Sequence, residues 1–255
     1  MTGSQCEAPA EFCSSFLSAN SNLIVESKVM FNNANKFPLW GLKLAVKLTG
    51  RPTGVSEGLK NDISDLGCIF IHIPKCAGNA VQKSLFGEVV FGHQTVRQYQ
   101  LALGSSEYRK AWKFAITRDP WERIVSAWRF LKAGGLHAHD EKYYSENLGE
   151  FQTFDHFVND WLVKQDLSRC GCVHFKPQVH YIMGFDGHVA IDYMLKLSDL
   201  QTEYEKLREK FNGVALIENN LAQGGKVDFR SFITSNETYK NLAKVYAEDI
   251  RLLGY

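Results

Sequence analysis

The most informative part of the chain reads Cys68-Ile69-Phe70-Ile71-His72-Ile73-Pro74-Lys75-Cys76-Ala77-Gly78-Asn79. Residues 68–73 form a mostly apolar run, rich in β-branched side chains, between a glycine and a proline. Such a run predicts a short buried strand. A tight loop follows over residues 74–79, and the spacing of apolar residues from Ala80 to Leu85 predicts a helix. The unit is therefore strand, loop, helix.

A second unit of the same kind follows about forty residues later. Residues 112–117, Trp112-Lys113-Phe114-Ala115-Ile116-Thr117, predict a strand, and Arg118-Asp119-Pro120 forms the turn after it. Asp119 before Pro120 is typical of a helix start, with a capping side chain and a proline in the first turn. The repeated alternation predicts an α/β fold: a P-loop-like, three-layer domain with a central, mostly parallel sheet flanked by helices.

The composition excludes several classes of protein. The 255 residues include 29 Lys and Arg against 28 Asp and Glu, so the formal net charge is +1. This balance argues against binding of nucleic acid through bulk positive charge, and a 45% hydrophobic content argues against a disordered chain. The sequence shows neither a secretory signal nor a transmembrane run, which predicts a cytoplasmic protein with free thiols.

The domain organisation predicted from the sequence has two parts. Residues 1–66 form an N-terminal extension packed on the domain, and residues 67–255 form the domain itself. In the extension, residues 37–48 predict a short packed helix, with a membrane-surface or partner-binding helix as the alternative. Near the end of the chain, apolar residues from Leu242 to Leu253 predict a closing amphipathic helix.

Both loops suit the binding of an anion. In open α/β sheets, ligands bind at the carboxyl ends of the strands, and a helix N-terminus offers free N–H groups and partial positive charge to a phosphate. Gly78 allows the backbone to approach an anion closely, Lys75 adds a full charge, and Arg118 adds a forked donor. The first loop lacks the glycine spacing and the Lys-Ser/Thr ending of a Walker A motif.

Together the two loops resemble those of the PAPS-dependent sulfotransferases, in particular the family that includes the heparan sulfate 2-O- and 6-O-sulfotransferases. The family's 5′-phosphosulfate loop is similar to residues 70–80, Phe-Ile-His-Ile-Pro-Lys-Cys-Ala-Gly-Asn-Ala, and its 3′-phosphate motif is similar to residues 118–127, Arg-Asp-Pro-Trp-Glu-Arg-Ile-Val-Ser-Ala. Weaker similarity continues through residues 174–182 to the end of the chain. The resemblance covers residues 67–255.

The resemblance implies roles for particular residues. Lys75 stabilises the leaving adenosine 3′,5′-bisphosphate, Arg118 and Ser126 hold its 3′-phosphate, and the first loop binds the 5′-phosphosulfate through residues Lys75, Cys76, Ala77, Gly78, Asn79 and Ala80. The family often has Thr, Thr and Ser where this chain has Cys76, Asn79 and Ala80, so the backbone N–H groups and the Asn79 amide take the place of the hydroxyls. Arg123 is expected to pair with Glu122 or another neighbouring acid.

The acceptor must lose a proton, and histidine is the side chain best suited to take it near neutral pH. By resemblance His93 is this base, with His72 the second choice and Glu88 a group that orients or replaces it. We expect His174 and His180 near the acceptor cleft, and a mobile loop over residues 132–144. Four aromatic residues either stack on sugar rings or belong to the core: Trp128, Tyr143, Tyr144 and Trp161.

The sequence therefore predicts a sulfotransferase that uses PAPS as co-substrate, needs no metal, and acts on a hydroxyl or amine of a sugar, a glycan or a small polar metabolite. Two alternatives remain open. One is a P-loop-type nucleotide phosphotransferase, although Cys76 stands where that class needs a Mg²⁺-binding Ser or Thr. The other is a non-catalytic nucleotide-binding scaffold of the same fold. The sequence leaves the oligomeric state open.

Overall fold

A computed structural model describes residues 53–217 and 228–255. Its sheet has three parallel strands in the order β1 (Cys68–Ile71), β2 (Trp112–Thr117) and β3 (Tyr193–Lys196). The register pairs Phe70 with Phe114 and Phe114 with Tyr193. A parallel sheet flanked by helices confirms the α/β prediction. The predicted helix over residues 37–48 lies outside the described residues.

The helices are numbered in chain order, with short helical turns between some of them. They are α1 (Glu57–Leu66), α2 (Gly78–Phe86), α3 (Val96–Lys110), α4 (Pro120–Lys132), α5 (Ala138–Asn147), α6 (Phe154–His156), α7 (Val179–Ile182), α8 (Leu200–Phe211), α9 (Asn236–Val245) and α10 (Ala247–Leu253). Helix α6 continues into a π-helical turn (Phe157–Trp161) and a 3₁₀ turn (Leu162–Lys164), and further 3₁₀ turns occupy Leu197–Asp199 and Phe229–Ser231.

The two strand–loop–helix units form for local reasons. All four residues of β1 are buried, as expected for a strand of a parallel sheet that is covered on both faces. At the start of α4 the Asp119 carboxylate accepts hydrogen bonds from the backbone N–H groups of Trp121 and Glu122, and Pro120 occupies the first turn. This capping arrangement confirms the helix start predicted from the sequence.

Two hydrophobic clusters fill the interior. The first surrounds the sheet and includes Leu59 and Ile63 of α1, so the end of the predicted N-terminal extension contributes to the same core. The second lies around α4, where Trp128 is 4% exposed. Trp161, Tyr143 and Tyr144 pack against this second cluster. Trp128 therefore belongs to the core, as one interpretation predicts, whereas the other three are only partly buried and their stacking on sugar rings stays a prediction.

Two predictions about local structure need correction. The predicted mobile loop over residues 132–144 is mostly helical, because α4 extends to Lys132 and α5 begins at Ala138. The predicted single closing helix is two helices, with Tyr246 as the break between them. The Tyr246 side chain is buried and its hydroxyl donates to the Phe175 carbonyl at 2.9 Å, which fixes the chain at this bend.

Candidate active site

The first loop takes a backbone conformation that ordinary side chains rarely adopt. Lys75 has φ = 69° and Ala77 has φ = 60°, both in the left-handed region that costs an L-residue energy. The turn at Ala77 starts α2, and its first intrahelical bond runs from the Val81 N–H to the Ala77 carbonyl. The N–H groups of residues 78–80 consequently have no acceptor within the helix and are available to an anion at its N-terminus.

Gly78 has a second role that the sequence did not indicate. A Cβ atom at this position would lie 2.1 Å from Cδ2 and 2.3 Å from Nε2 of His72, far inside van der Waals contact. The His72 ring therefore packs against the start of α2, and only glycine leaves room for it. His72 is 5% exposed, and its Nδ1 bonds the Phe91 carbonyl at 2.9 Å. Burial lowers the pKa of His72 to about 3. These contacts make His72 a packing residue of the loop.

The second loop lies directly against the first. Arg118 Nη1 donates to the carbonyl of Lys75 at 3.4 Å, although 43 residues separate the two. Arg118 Nε also bonds Glu122 at 3.2 Å, one helical turn further on. The backbone of Arg118 is held by the buried Gln178 amide, which accepts from its N–H at 2.9 Å and donates to its carbonyl at 2.7 Å. Lys75 and Arg118 are thus brought to one place.

Arg123 holds the first loop in place through hydrogen bonds to backbone carbonyls. This side chain is 1% exposed, and it donates from Nε to the Pro74 carbonyl at 3.0 Å and from Nη1 to the Lys176 carbonyl at 2.9 Å. Of the two partners expected for Arg123, Glu122 pairs with Arg118 instead, whereas a neighbouring acid on which the charge of Arg123 acts is Asp249. Asp249 is the buried acid of this region; its carboxylate accepts from the N–H groups of Gln178 and Val179 at 2.8 and 2.9 Å.

The side chain of Lys75 lies in an apolar and electropositive environment. Its Nζ lies 3.8 Å from the centre of the Phe130 ring, a cation–π contact. Burial and the neighbouring Arg118 guanidinium lower the pKa of Lys75 to about 8. The ammonium is therefore only weakly solvated, and an anion that approaches it meets little competition from water.

His93 is held in a defined tautomer. Its Nδ1 bonds the backbone carbonyl of His72 at 2.9 Å. Because a carbonyl only accepts hydrogen bonds, Nδ1 carries the proton and Nε2 carries the lone pair. Burial lowers the pKa of His93, and the cations Arg123 and Lys75 act in the same direction. The ring is therefore neutral at pH 7 and able to accept a proton at Nε2.

The remaining residues singled out from the sequence take varied positions. The Cys76 side chain is buried, with Sγ 3.5 Å from Gln178 Oε1 and burial raising the thiol pKa to about 11, so this residue offers the site only its backbone. Asn79 is exposed, Ala80 is buried, and Ser126 lies half-buried in the second turn of α4.

His174 lies beside His93, with ring centres 6.2 Å apart. His180 is placed differently: the charges that act on it are those of Lys176 and Arg97. Glu88 is exposed beyond the C-terminal end of α2, whereas the loop lies at the N-terminal end of that helix. Of the two histidines expected at the acceptor cleft, the structure brings only His174 to His93.

Several residues of the site had no assigned role from sequence. Gln178 lies in the segment that carries the weaker family resemblance, but the sequence does not show that its side chain is buried or that it pairs with the backbone of Arg118. Phe130, Asp140 and Asp249 gave no local signal, because their partners lie far away in the sequence.

A family model described as "Sulfotransferase family" matches residues 64–255, about three quarters of the chain. Neither the search of curated proteins nor the search of solved structures gave a match. Within residues 53–217 and 228–255, no helix combines the length and the apolar character needed to cross a bilayer. In the same ranges, no three or more His, Cys, Asp or Glu side chains form a group that would hold a metal ion.

Proposed function

Because the chain belongs to the sulfotransferase family, we propose that it transfers sulfonate from PAPS to a hydroxyl or amine of a sugar, a glycan or a small polar metabolite. This proposal rests on one observation: Lys75 and Arg118 lie side by side at the N-terminus of α2, where Arg118 donates to the Lys75 carbonyl. The cytoplasmic location and the division at residue 67 stay predictions from the sequence.

The donor would bind across the two loops. The free N–H groups at the start of α2 and the ammonium of Lys75 suit the 5′-phosphosulfate, while Arg118 and Ser126 suit the 3′-phosphate. The left-handed backbone at Lys75 and Ala77 supports this assignment, since such strain is typical of binding sites. Cys76 and Ala80 contribute through their backbone, and Asn79 through its exposed amide.

The proposed transfer forms one bond to sulfur and breaks another. The oxygen of the acceptor forms a bond to sulfur while the bond from sulfur to the bridging oxygen of the donor breaks. The proton of the acceptor passes to Nε2 of His93, and Lys75 stabilises the negative charge that develops on the leaving adenosine 3′,5′-bisphosphate. The protein therefore supplies position and charge, as in phosphoryl transfer.

A screen of acceptors with isotope-labelled PAPS, read by mass spectrometry, tests the proposal. We expect one class of acceptor to gain a sulfonate group without added Mg²⁺, and Lys75→Ala to abolish the gain. Lys83→Ala is the matched control, because Lys83 is an exposed lysine of the same helix α2.

The same screen separates the alternatives. Turnover that depends strictly on Mg²⁺ would favour the phosphotransferase. Binding of adenosine 3′,5′-bisphosphate without transfer to any acceptor would favour the scaffold. If adenosine 3′,5′-bisphosphate does not raise the melting temperature of the protein at all, the proposed donor site is wrong.

A further inference from the structure

A second histidine lies in the proposed active site with no role in the step described above. His174 is 9% exposed, and its ring lies 4.9 Å from the ring of Phe130, on which Lys75 also rests. Its Nε2 is 3.6 Å from Oδ1 of Asp140. Its other nitrogen, Nδ1, is buried and has no hydrogen-bond partner among the described residues. A buried polar atom without a partner is rare in proteins and calls for an explanation.

Asp140 is held firmly in place. Its Oδ2 accepts hydrogen bonds from the backbone N–H groups of Leu136 and His137, at 3.0 and 3.2 Å. The chain at Gly135 packs so closely on it that a Cβ there would lie 2.1 Å from the Cβ of Asp140. The two backbone donors, together with His174, hold the pKa of the Asp140 carboxyl below its usual range against the effect of burial. The carboxylate therefore stays charged and accepts only.

Asp140 favours one tautomer of His174. Its carboxylate lies 3.6 Å from Nε2, beyond ordinary hydrogen-bond distance, and the negative charge attracts the proton to the nitrogen that faces it. The lone pair then lies on Nδ1. His93 reaches the complementary arrangement through the His72 carbonyl, with its lone pair on Nε2. Two neutral imidazoles with their centres 6.2 Å apart therefore each present an acceptor nitrogen.

We propose that His174, positioned by Asp140, accepts a hydrogen bond from a second hydroxyl of the sulfonate acceptor, adjacent to the hydroxyl that His93 deprotonates. Two neighbouring hydroxyl groups, each with a hydrogen bond of about 2.8 Å, can bridge rings at this separation. The inference rests on the proposed function and adds to it a substrate class, the 1,2-diols. His174 is a substrate-binding residue, and Asp140 is a positioning residue that acts through it.

The contact requires the space beside Nδ1 of His174 to open first, because this atom is closed to solvent. Lys75 and His174 both contact the Phe130 ring, so movement of the ammonium to the sulfonate of the donor would change the surroundings of His174. A diol is therefore expected to bind after the donor or its product.

The positioning role of Asp140 is tested without any acceptor. In Asp140→Asn, the side-chain oxygen still accepts from Leu136 and His137, but the amide donates toward His174. This change reverses the tautomer and moves the proton to Nδ1. We expect ¹⁵N spectra of the His174 imidazole to show this reversal, while those of His180, the matched control, stay unchanged. A His174 tautomer that is the same in both proteins would overturn the assignment.

The substrate class is tested with trans-cyclohexane-1,2-diol and cyclohexanol, added to enzyme saturated with adenosine 3′,5′-bisphosphate. We expect the diol to shift the imidazole resonances of both His93 and His174 and to bind at least tenfold more tightly than the mono-alcohol. In His174→Phe, which keeps the aromatic packing on Phe130, this preference should vanish. In His180→Phe it should persist.

Three outcomes would contradict the proposal: equal affinity for the two alcohols, binding of neither, or a diol that shifts His93 alone. Failure of the proposed function is recognised separately. In that case calorimetry shows no binding of adenosine 3′,5′-bisphosphate, whereas the ¹⁵N spectra still report whether Asp140 sets the tautomer of His174.

Discussion

If the 3′-phosphate of PAPS binds Arg118 as proposed, Glu122 competes with it for the guanidinium, and removal of the Glu122 charge should tighten donor binding. The carboxylate accepts from Arg118 Nε at 3.2 Å, and the side chains of Arg118 and Glu122 are 24% and 43% exposed. A 3′-phosphate bound to Arg118 has to share the guanidinium with Glu122 and lies within a few ångströms of a like charge. Glu122→Gln removes this repulsion and keeps the shape of the side chain.

The magnitude follows from the exposure of the pair. Two unit charges about 4 Å apart interact by about 1 kcal/mol in water and about 4 kcal/mol near a protein surface. Because Glu122 is well solvated, the lower figure applies, and exposed pairs of this kind are worth at most about 1 kcal/mol. We therefore expect about fivefold tighter binding of adenosine 3′,5′-bisphosphate, since 1.4 kcal/mol corresponds to a factor of ten. The loss of the pair should lower the free energy of unfolding by only about 0.3–0.5 kcal/mol.

Isothermal titration calorimetry at low and high salt measures this effect. The gain in affinity should shrink as salt screens the charges. The matched control is Glu146→Gln, because Glu146 forms a similar exposed pair with Lys142, 3.8 Å apart, on α5. Unchanged or weaker binding in Glu122→Gln would refute the placement of the 3′-phosphate at Arg118.

Three further substitutions probe the loops. Burial and the charge of Arg118 lower the pKa of Lys75 to about 8, so kcat/KM should fall above that pH. In Lys75→Arg the guanidinium stays charged, and this fall should move beyond pH 10 even if turnover drops. Gly78→Ala should lower the free energy of unfolding by about 1–3 kcal/mol through its clash with His72, as measured by urea denaturation, whereas Gly171→Ala, with open space around it, should not. Gln178→Leu leaves two backbone groups of the second loop unpaired, at about 1–3 kcal/mol each; an unchanged melting temperature would contradict that role.

The sequence predicts the parts of the fold that depend on neighbours in the chain. Strand β1, strand β2 and the capped start of α4 each follow from a local pattern of apolar residues, a capping aspartate and a proline. Strand β3 was not predicted, because its four residues, Tyr193–Lys196, are mostly half-buried or exposed and show no clear strand pattern. The break at Tyr246 was missed for a related reason, since the hydroxyl partner lies 71 residues away.

The residues of the site divide in the same way, into those that a local pattern indicates and those whose partners are remote in the sequence. Lys75 and Arg118 could be named because each stands in a short motif, and His93 could be named by resemblance to the family; the roles of all three stay predictions. The residues that hold them could not, because their contacts cross long distances in the chain: Gln178 reaches Cys76 over 102 residues, and Asp249 reaches Gln178 over 71. A buried side chain that satisfies a remote backbone group leaves no periodicity in the sequence.

The remote backbone partners of Arg123 change the interpretation of charge at the site. A net charge of +1 is compatible with a local group of cations around one polyanion, and three basic residues stand in the two quoted motifs: Lys75, Arg118 and Arg123. In the structure, however, two nitrogens of Arg123 bind backbone carbonyls and the third is closed to solvent. Under the proposed function, direct contact with the donor falls to Lys75, Arg118, Ser126, Asn79 and the N–H groups at the N-terminus of α2. Arg123 acts on the site only by holding the loop and through its field, which lowers the pKa of His93 together with the greater effect of burial.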